Sequence, residues 1–237
     1  MSDALAGQTA LVTGASKGIG AAIARELGAR GAHVILTARN AAGLEEVEQA
    51  IHDAGGSATI APLDLSESDG VARLAQAISG RWDTLDILVI CAAYLPNLSP
   101  VTQIDGKEFS KAMTVNVLAT QSLLAAFDPM LKRSGNARVV GLTSSVGETP
   151  RAYWSAYGAS KSAFDNLLSA YGDEVEKISK VRVATIDPGA TRTEMRARAY
   201  PGEDPQTVKP PETVAAHVAD LLESDFETGL RQRVDTP

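Results

Sequence analysis

Short apolar runs alternate with amphipathic stretches along most of the chain. "TALVTG" (9–14) predicts a first strand, and Ile23 and Leu27 share one face of a helix in "IGAAIARELGARG" (19–31). "HVILTA" (33–38) predicts the second strand, and "AAGLEEVEQAIHDAGG" (41–56) a helix stopped by a glycine pair. "ATIAPLDL" (58–65) and "SDGVARLAQAIS" (68–79) repeat the pair. "LDILVICAA" (85–93) is the most apolar run, as a central parallel strand covered on both faces should be. A long helix over roughly 107–131 follows, then a strand at 137–144, a helix over about 155–178 and a strand at 181–187. "RAYPGEDPQTVKPPE" (198–212) predicts an excursion loop, and "TVAAHVADLLES" (213–224) a last amphipathic helix. This alternation predicts an α/β fold over residues 1–237: a single-domain, doubly wound parallel sheet with helices on both faces.

Composition narrows the function classes. With 44% hydrophobic and 22% charged residues, a large core under a solvated surface is expected. The net charge of −7 comes with no basic stripe, which argues against a nucleic-acid partner. No long apolar run suits a membrane span, and the first residues lack the basic and apolar regions of a secretory signal. Cys91 is the single cysteine, so no intrachain disulfide forms and a reducing compartment is expected. These points together predict a cytoplasmic protein. His33, His52 and His217 lie far apart without cysteine or histidine companions, so no metal site is expected.

The candidate chemistry begins between the first strand and first helix, in "TGASKGIG" (13–20). Gly14, Gly18 and Gly20 let the backbone turn tightly and approach a pyrophosphate, with Ser16, Lys17 and Ile19 in the same turn. The helix N-terminus near Gly18 supplies N–H groups and a positive dipole end for the anion. A dinucleotide is the expected ligand. The position after the second strand, where a carboxylate would bind the ribose of NAD, holds Ala38 and then Arg39. Arg39 and Lys17 suit a 2′-phosphate, so NADP(H) is expected over NAD(H).

This glycine spacing, together with the motifs downstream of it, resembles the short-chain dehydrogenase/reductase family, over about residues 7 to 235. The resemblance implies a Rossmann fold and a catalytic tetrad of Asn116, Ser144, Tyr157 and Lys161. In "SAYGASK" (155–161), Ser155 is expected to cap a helix, and Tyr157 and Lys161 then share one face. An ammonium beside a phenol favours the phenolate, so Tyr157 is expected to exchange a proton as a hydride moves to or from a carbonyl carbon. Ser144, thirteen residues earlier at a strand end, would hold the substrate oxygen. Ser145 is its register alternative. The resemblance gives Asn116 a water that relays protons from Lys161, while a buried amide satisfied by backbone is the plain reading of the same residue.

The same resemblance implies that Asp64 and Leu65 hold the adenine, that Ala92 lies beside the cofactor, and that Pro188 and Gly189 shape the turn at the nicotinamide. Thr193 would hold the carboxamide or pyrophosphate, or simply cap a helix. One motif departs. The family's Asn-Asn-Ala-Gly after the fourth strand is "ICAA" (90–93) here, which predicts altered packing and a tighter approach to the ribose. A weaker likeness to a bacterial subgroup of unassigned substrate covers "PRAYWSAY" and "GATRTEMRARAYPGEDPQ". Arg151, Tyr153, Trp154, Arg196 and Arg198 would line the pocket, with 195–211 as a lid, for an anionic or an aromatic carbonyl compound, the equal alternative being arginines that are simply solvated.

The expected activity is therefore oxidation or reduction of a small-molecule carbonyl or alcohol substrate with NADP(H). The alternative is a cofactor-binding regulator or scaffold of the same fold with little turnover, motivated by "ICAA". The family resemblance also implies a homodimer or homotetramer.

Overall fold

The computed structural model describes residues 3–235. Seven strands form one sheet in the order β3-β2-β1-β4-β5-β6-β7. They are β1 (Thr9–Thr13), β2 (His33–Thr37), β3 (Ser57–Ile60), β4 (Ile87–Ile90), β5 (Arg138–Leu142), β6 (Arg182–Asp187) and β7 (Leu230–Arg233). Every neighbouring pair is parallel. The chain builds outward from β1 to β3, then crosses back to lay β4 on the other side of β1. A parallel sheet opens a crevice at such a reversal, beyond the carboxyl ends of the strands.

Two layers of helices cover the sheet. One apolar cluster joins a sheet face to α1 (Gly18–Ala29), α2 (Ala41–Asp53) and α9 (Pro211–Glu223), through residues such as Ile23, Leu27, Val47 and Val218. The other joins the opposite face to α3 (Gly70–Ser79), α5 (Ala119–Arg133) and α7 (Ser155–Glu176), through Leu74, Phe127, Phe164 and Leu168. β1, β4 and β5 are buried along their whole length, as strands covered on both faces must be. The predicted doubly wound architecture is therefore the observed one. No helix among the described residues is long and apolar enough to cross a membrane.

Three features differ from the periodicity. The long helix predicted over 107–131 is α4 (Gly106–Met113), a π-helical turn over Thr114–Leu118, and α5. The extra residue per turn shifts the phase of the helix, and Asn116 sits in that turn. The terminal "LRQR" forms β7, although its alternation is too polar to announce a strand. It is an edge strand held by β6, with the Val234 N–H reaching the Asp187 carbonyl at 2.9 Å. The loop expected over 198–212 is largely ordered. It follows the short helix α8 (Glu194–Ala199), passes a 3₁₀ turn (Pro205–Thr207), and is bridged back at Thr191 and Lys209.

Candidate active site

The carboxyl ends of β1, β4, β5 and β6 meet at one edge of the sheet, and the predicted residues gather there. After β1 the chain enters the glycine-rich turn. Gly20 packs so closely that a Cβ would overlap the Gly14 carbonyl oxygen, and Gly14 in turn backs onto Ala92, 2.9 Å from where its own Cβ would lie. Gly18 has φ +57°, and the nearest atom to a Cβ there is Thr193 Cγ2 at 3.4 Å. No side chain caps α1, whose N-cap is the extended residue Lys17. The first N–H groups of α1 thus lack a side-chain cap, and this backbone cradle fits the phosphates of a dinucleotide.

The cations predicted beside this cradle are present and already paired. Lys17 meets Glu194 at the start of α8, and Arg39 lies 3.9 Å from Asp64. Both pairs are largely exposed, so solvent screening leaves them little net stability. Asp64 also accepts from the Ser66 N–H and hydroxyl at 2.9 and 2.7 Å. Desolvation is the largest single influence on its carboxyl and raises it, but these two bonds, with Arg39 and Lys111, together hold it below the usual range. Leu65 follows it, half-buried.

The departure at "ICAA" is braced from β1. The Thr13 hydroxyl accepts from the Cys91 and Ala92 N–H groups at 3.0 and 3.1 Å and donates to the Val89 carbonyl at 3.4 Å. Backbone amides supply the cross-link, so the sheet closes around Ile90 without an asparagine side chain. Thr13 was not singled out by sequence. Its place directly before the glycine turn was the available signal.

Ser144 is the N-cap of a single-turn helix, α6 (Ser145–Glu148), and its hydroxyl accepts weakly from Val146 N–H at 3.5 Å. α6 lies against the start of α7. A Cβ at Gly147 would stand 3.0 Å from Lys161 backbone and Cβ, and one at Gly158 would stand 2.7 Å from the Val146 carbonyl. Two glycines therefore let α6, which Ser144 caps, pack closely against the start of α7, which carries Tyr157 and Lys161. Ser155 does not cap α7. The N-cap is Trp154, whose carbonyl accepts from Gly158 N–H at 2.7 Å, and the Ser155 hydroxyl is buried with no hydrogen-bond partner. The helix begins one residue early because the preceding turn is closed by Trp154 N–H to the Arg151 carbonyl.

Tyr157 is buried, and Lys161 is only 1% exposed. The Lys161 ammonium donates to the Leu142 carbonyl at 2.7 Å and lies 4.2 Å from the Phe164 ring centroid. Burial pushes its pKa down to about 8. The expectation that Tyr157 is shifted toward the phenolate is not met. Burial, reinforced by Cys91, Asp187 and Asp165, raises the phenol well above its ordinary value. The Lys161 ammonium is 5.9 Å from the Tyr157 ring centroid, farther than from that of Phe164, and desolvation dominates the phenol. The neighbouring Cys91 thiol is likewise pushed up to about 12 by burial, in spite of Lys161.

Asn116 is a satisfied buried amide. Its Oδ1 accepts from Tyr94 N–H at 2.7 Å, and its Nδ2 donates to the Tyr94 carbonyl and the Ser160 hydroxyl, both at 2.9 Å. Ser160 passes the link on, donating to the Tyr157 carbonyl at 2.7 Å. Asn116 thus reaches α7 through Ser160, a residue sequence reasoning passed over. Its polar place between Tyr157 and Lys161 on a buried helix was the clue.

Beyond β6, Pro188 and Gly189 form a turn, with φ +61° at Gly189, that leads to Thr193 beside Gly18. Gly189 N–H donates to Asp187 at 2.9 Å, and the buried Lys209 ammonium holds the Ala190 carbonyl at 3.0 Å from behind. The Thr193 hydroxyl caps α8 through Arg196 N–H at 3.1 Å. Of the pocket residues, Trp154 faces Tyr157, whereas Arg151, Tyr153 and Arg198 are exposed. Arg196 forks onto Glu203 at 2.6 and 2.5 Å.

Comparison with known proteins bears on this arrangement. The family model for short chain dehydrogenases matches residues 8–204. The chain is 38% identical over 212 residues to YciK, an uncharacterized oxidoreductase of Escherichia coli K12, covering 88% of this chain and 83% of that one. A short chain dehydrogenase from Shigella flexneri 2a str. 301, complexed with NADP, superposes with a TM-score of 0.94 at 35% identity over 99% of both chains. One from Escherichia coli CFT073, complexed with NADPH, superposes at 0.93 with 36% identity over 99% of both. A glycine turn on a parallel sheet, a buried tyrosine–lysine pair and these likenesses lead to one conclusion: the chain belongs to the short-chain dehydrogenase family of oxidoreductases.

Proposed function

We propose that this chain interconverts a carbonyl compound and its alcohol with NADP(H), and that Tyr157 carries the proton. The observation that carries the reading is the buried Tyr157, with the Lys161 ammonium 5.9 Å from its ring centroid and the short helix capped by Ser144 packed against its own helix. NADP(H) when bound supplies or accepts the hydride at the substrate carbon. Its preference over NAD(H) is supported by Lys17 and Arg39 and by the NADP and NADPH held in the two similar structures. A 2′-phosphate carries more charge than either carboxylate now facing those cations, so it should draw both of them. Gly14, Ser16, Gly18, Ile19 and Gly20 would hold the diphosphate by their backbone. Asp64 and Leu65 would flank the adenine, Ala92 the ribose, and Pro188, Gly189 and Thr193 the nicotinamide end.

In the reductive direction the Ser144 hydroxyl donates to the carbonyl oxygen and holds it against Tyr157. As the carbon gains a hydride, that oxygen takes the phenolic proton. The raised pKa keeps Tyr157 protonated at neutral pH, which is the state an acid needs. Lys161, still mostly charged at pH 7 with a pKa of about 8, stabilises the phenolate left behind. Asn116, acting through Ser160, fixes the turn of α7 that carries Tyr157.

NADPH consumption across aldehydes, ketones, diketones and quinones, with Tyr157→Phe in parallel, tests the reading. We expect turnover that falls by about 10²-fold or more in the variant. Equal rates in both proteins would remove Tyr157 from the chemistry.

A further inference from the structure

Outside the two main cores lies a third, smaller apolar cluster built on Tyr157 itself. Leu95 and Val146 are buried with it, and Leu98, Trp154 and Ala199 pack against them half-covered. The contributors come from four separate segments, one of which carries Tyr157. Trp154 stands edge-on to Tyr157, with centroids 6.2 Å apart and planes at 63°. Tyr200, directly after α8, tilts against the other side of Trp154 at 5.8 Å.

Two further observations separate this cluster from ordinary packing. Tyr153 has φ +70°, the one described non-glycine residue in the left-handed region. That conformation is costly for an aromatic residue and tends to persist where a site needs it. Here it leaves Tyr153 exposed and turns the next residue, Trp154, onto Tyr157. Its carbonyl accepts from Ser99 N–H at 3.2 Å, which ties the Leu95–Leu98 segment to the same turn. The charge nearest to Tyr200 is also spent internally. Arg196 lies 3.7 Å over the Tyr200 ring, and its forked face is filled by Glu203. A cavity of about 320 Å³ borders Tyr200 and is lined in part by Arg196, Pro205 and Val208.

We infer that Trp154 and Tyr200 are specificity-determining residues that select a carbonyl compound bearing a flat, uncharged aromatic group. The group lies against the face of Trp154, with Tyr200 closing over it, while its carbonyl reaches Ser144 and Tyr157. Ring faces and edges attract a second aromatic ring beyond what apolar area alone supplies. An anionic substituent finds no uncommitted guanidinium at Arg196. This inference rests on the reductase reading of Tyr157.

Phenylacetone and cyclohexylacetone separate the possibilities, because the ring in each is insulated from the carbonyl by a methylene group. With NADPH we expect kcat/KM for phenylacetone to exceed that for cyclohexylacetone by about three- to tenfold, and pyruvate to be poorest. Trp154→Leu and Tyr200→Leu should each bring the ratio of kcat/KM for the two ketones toward one, whatever the change in overall rate, whereas a merely structural role would lower both ketones alike and keep the ratio. Cyclohexylacetone or pyruvate as the better substrate, in a protein whose turnover still needs Tyr157, would overturn the inference and leave the reductase reading standing. If no ketone turns over, the binding arm decides. The chain has two tryptophans, so Trp82→Phe leaves Trp154 as the sole indole reporter. A saturable change in its emission with 1-phenyl-2-propanol, and none with 1-cyclohexyl-2-propanol, would support the aromatic site even with the reductase reading lost. No change with either would overturn it.

Discussion

Lys161 keeps an ammonium group almost wholly out of water on one hydrogen bond and one aromatic face. Its folded pKa of about 8 lies below its ordinary 10.5. Between those values the unfolded chain holds a proton that the folded chain has released, so stability rises with pH across that window and the full cost applies below it. The shift corresponds to about 3 kcal/mol, and an orphaned Leu142 carbonyl would take back about 1 kcal/mol of any gain. Lys161→Met should therefore be more stable than the parent by about 1–2 kcal/mol at pH 7, with the gap closing toward pH 10, and should lose turnover. Urea unfolding at both pH values measures it. A variant less stable at pH 7 would mean that Lys161 is held for structure. Residues of this kind were legible in sequence, because Ser144, Tyr157 and Lys161 occur at a recognisable spacing. Their energetics were not. The sign of the Tyr157 shift depends on how deeply α6 and α7 bury it, and no spacing carries that depth.

At the scale of elements, the glycine turn and α1 set two tendencies against each other. Alanine is favoured over glycine in a helix by about 1 kcal/mol. At Gly20, however, a Cβ would overlap the Gly14 carbonyl, and relieving such an overlap by moving backbone costs about 1–3 kcal/mol. We expect Gly20→Ala to lower the melting temperature and weaken NADPH binding by about tenfold or more, since the cradle itself must shift. Gly80→Ala provides the control. Gly80 ends α3 with φ −74°, and its Cβ would make only ordinary contacts from 3.5 Å, so that variant should bind NADPH like the parent. Equal binding in both would show that the turn tolerates a side chain. Helices and buried strands were readable from period alone, whereas β7 and the π turn were not. β7 is fixed by its partner β6 rather than by its own pattern, and the π turn keeps a helical composition while displacing one residue, Asn116. Asn116 then meets Tyr94 and Ser160 rather than a group that sequence could name.

Across the whole molecule, the reversal between β1 and β4 is what brings chemistry together. It sets the glycine turn after β1 on the same side of the sheet as the ends of β4, β5 and β6, where Ser144 follows β5 and Pro188 follows β6. The alternation of strands and helices foretold the doubly wound parallel sheet but not its strand order, and the packing of α8 and Tyr200 onto the Trp154 cluster came only with the tertiary structure. The aromatic contacts join segments whose order along the chain gives no hint of adjacency. If the crevice performs the proposed reaction, the hydrogen leaving the nicotinamide must arrive on the substrate carbon. The decisive measurement is turnover of a ketone with NADPH deuterated at the reactive face of the nicotinamide, followed by mass analysis of the alcohol. One deuterium on the carbinol carbon, with product formation collapsing in Tyr157→Phe, is the expected result. NADPH consumed on either face without deuterium in the product, or product formed equally well by the variant, would contradict it.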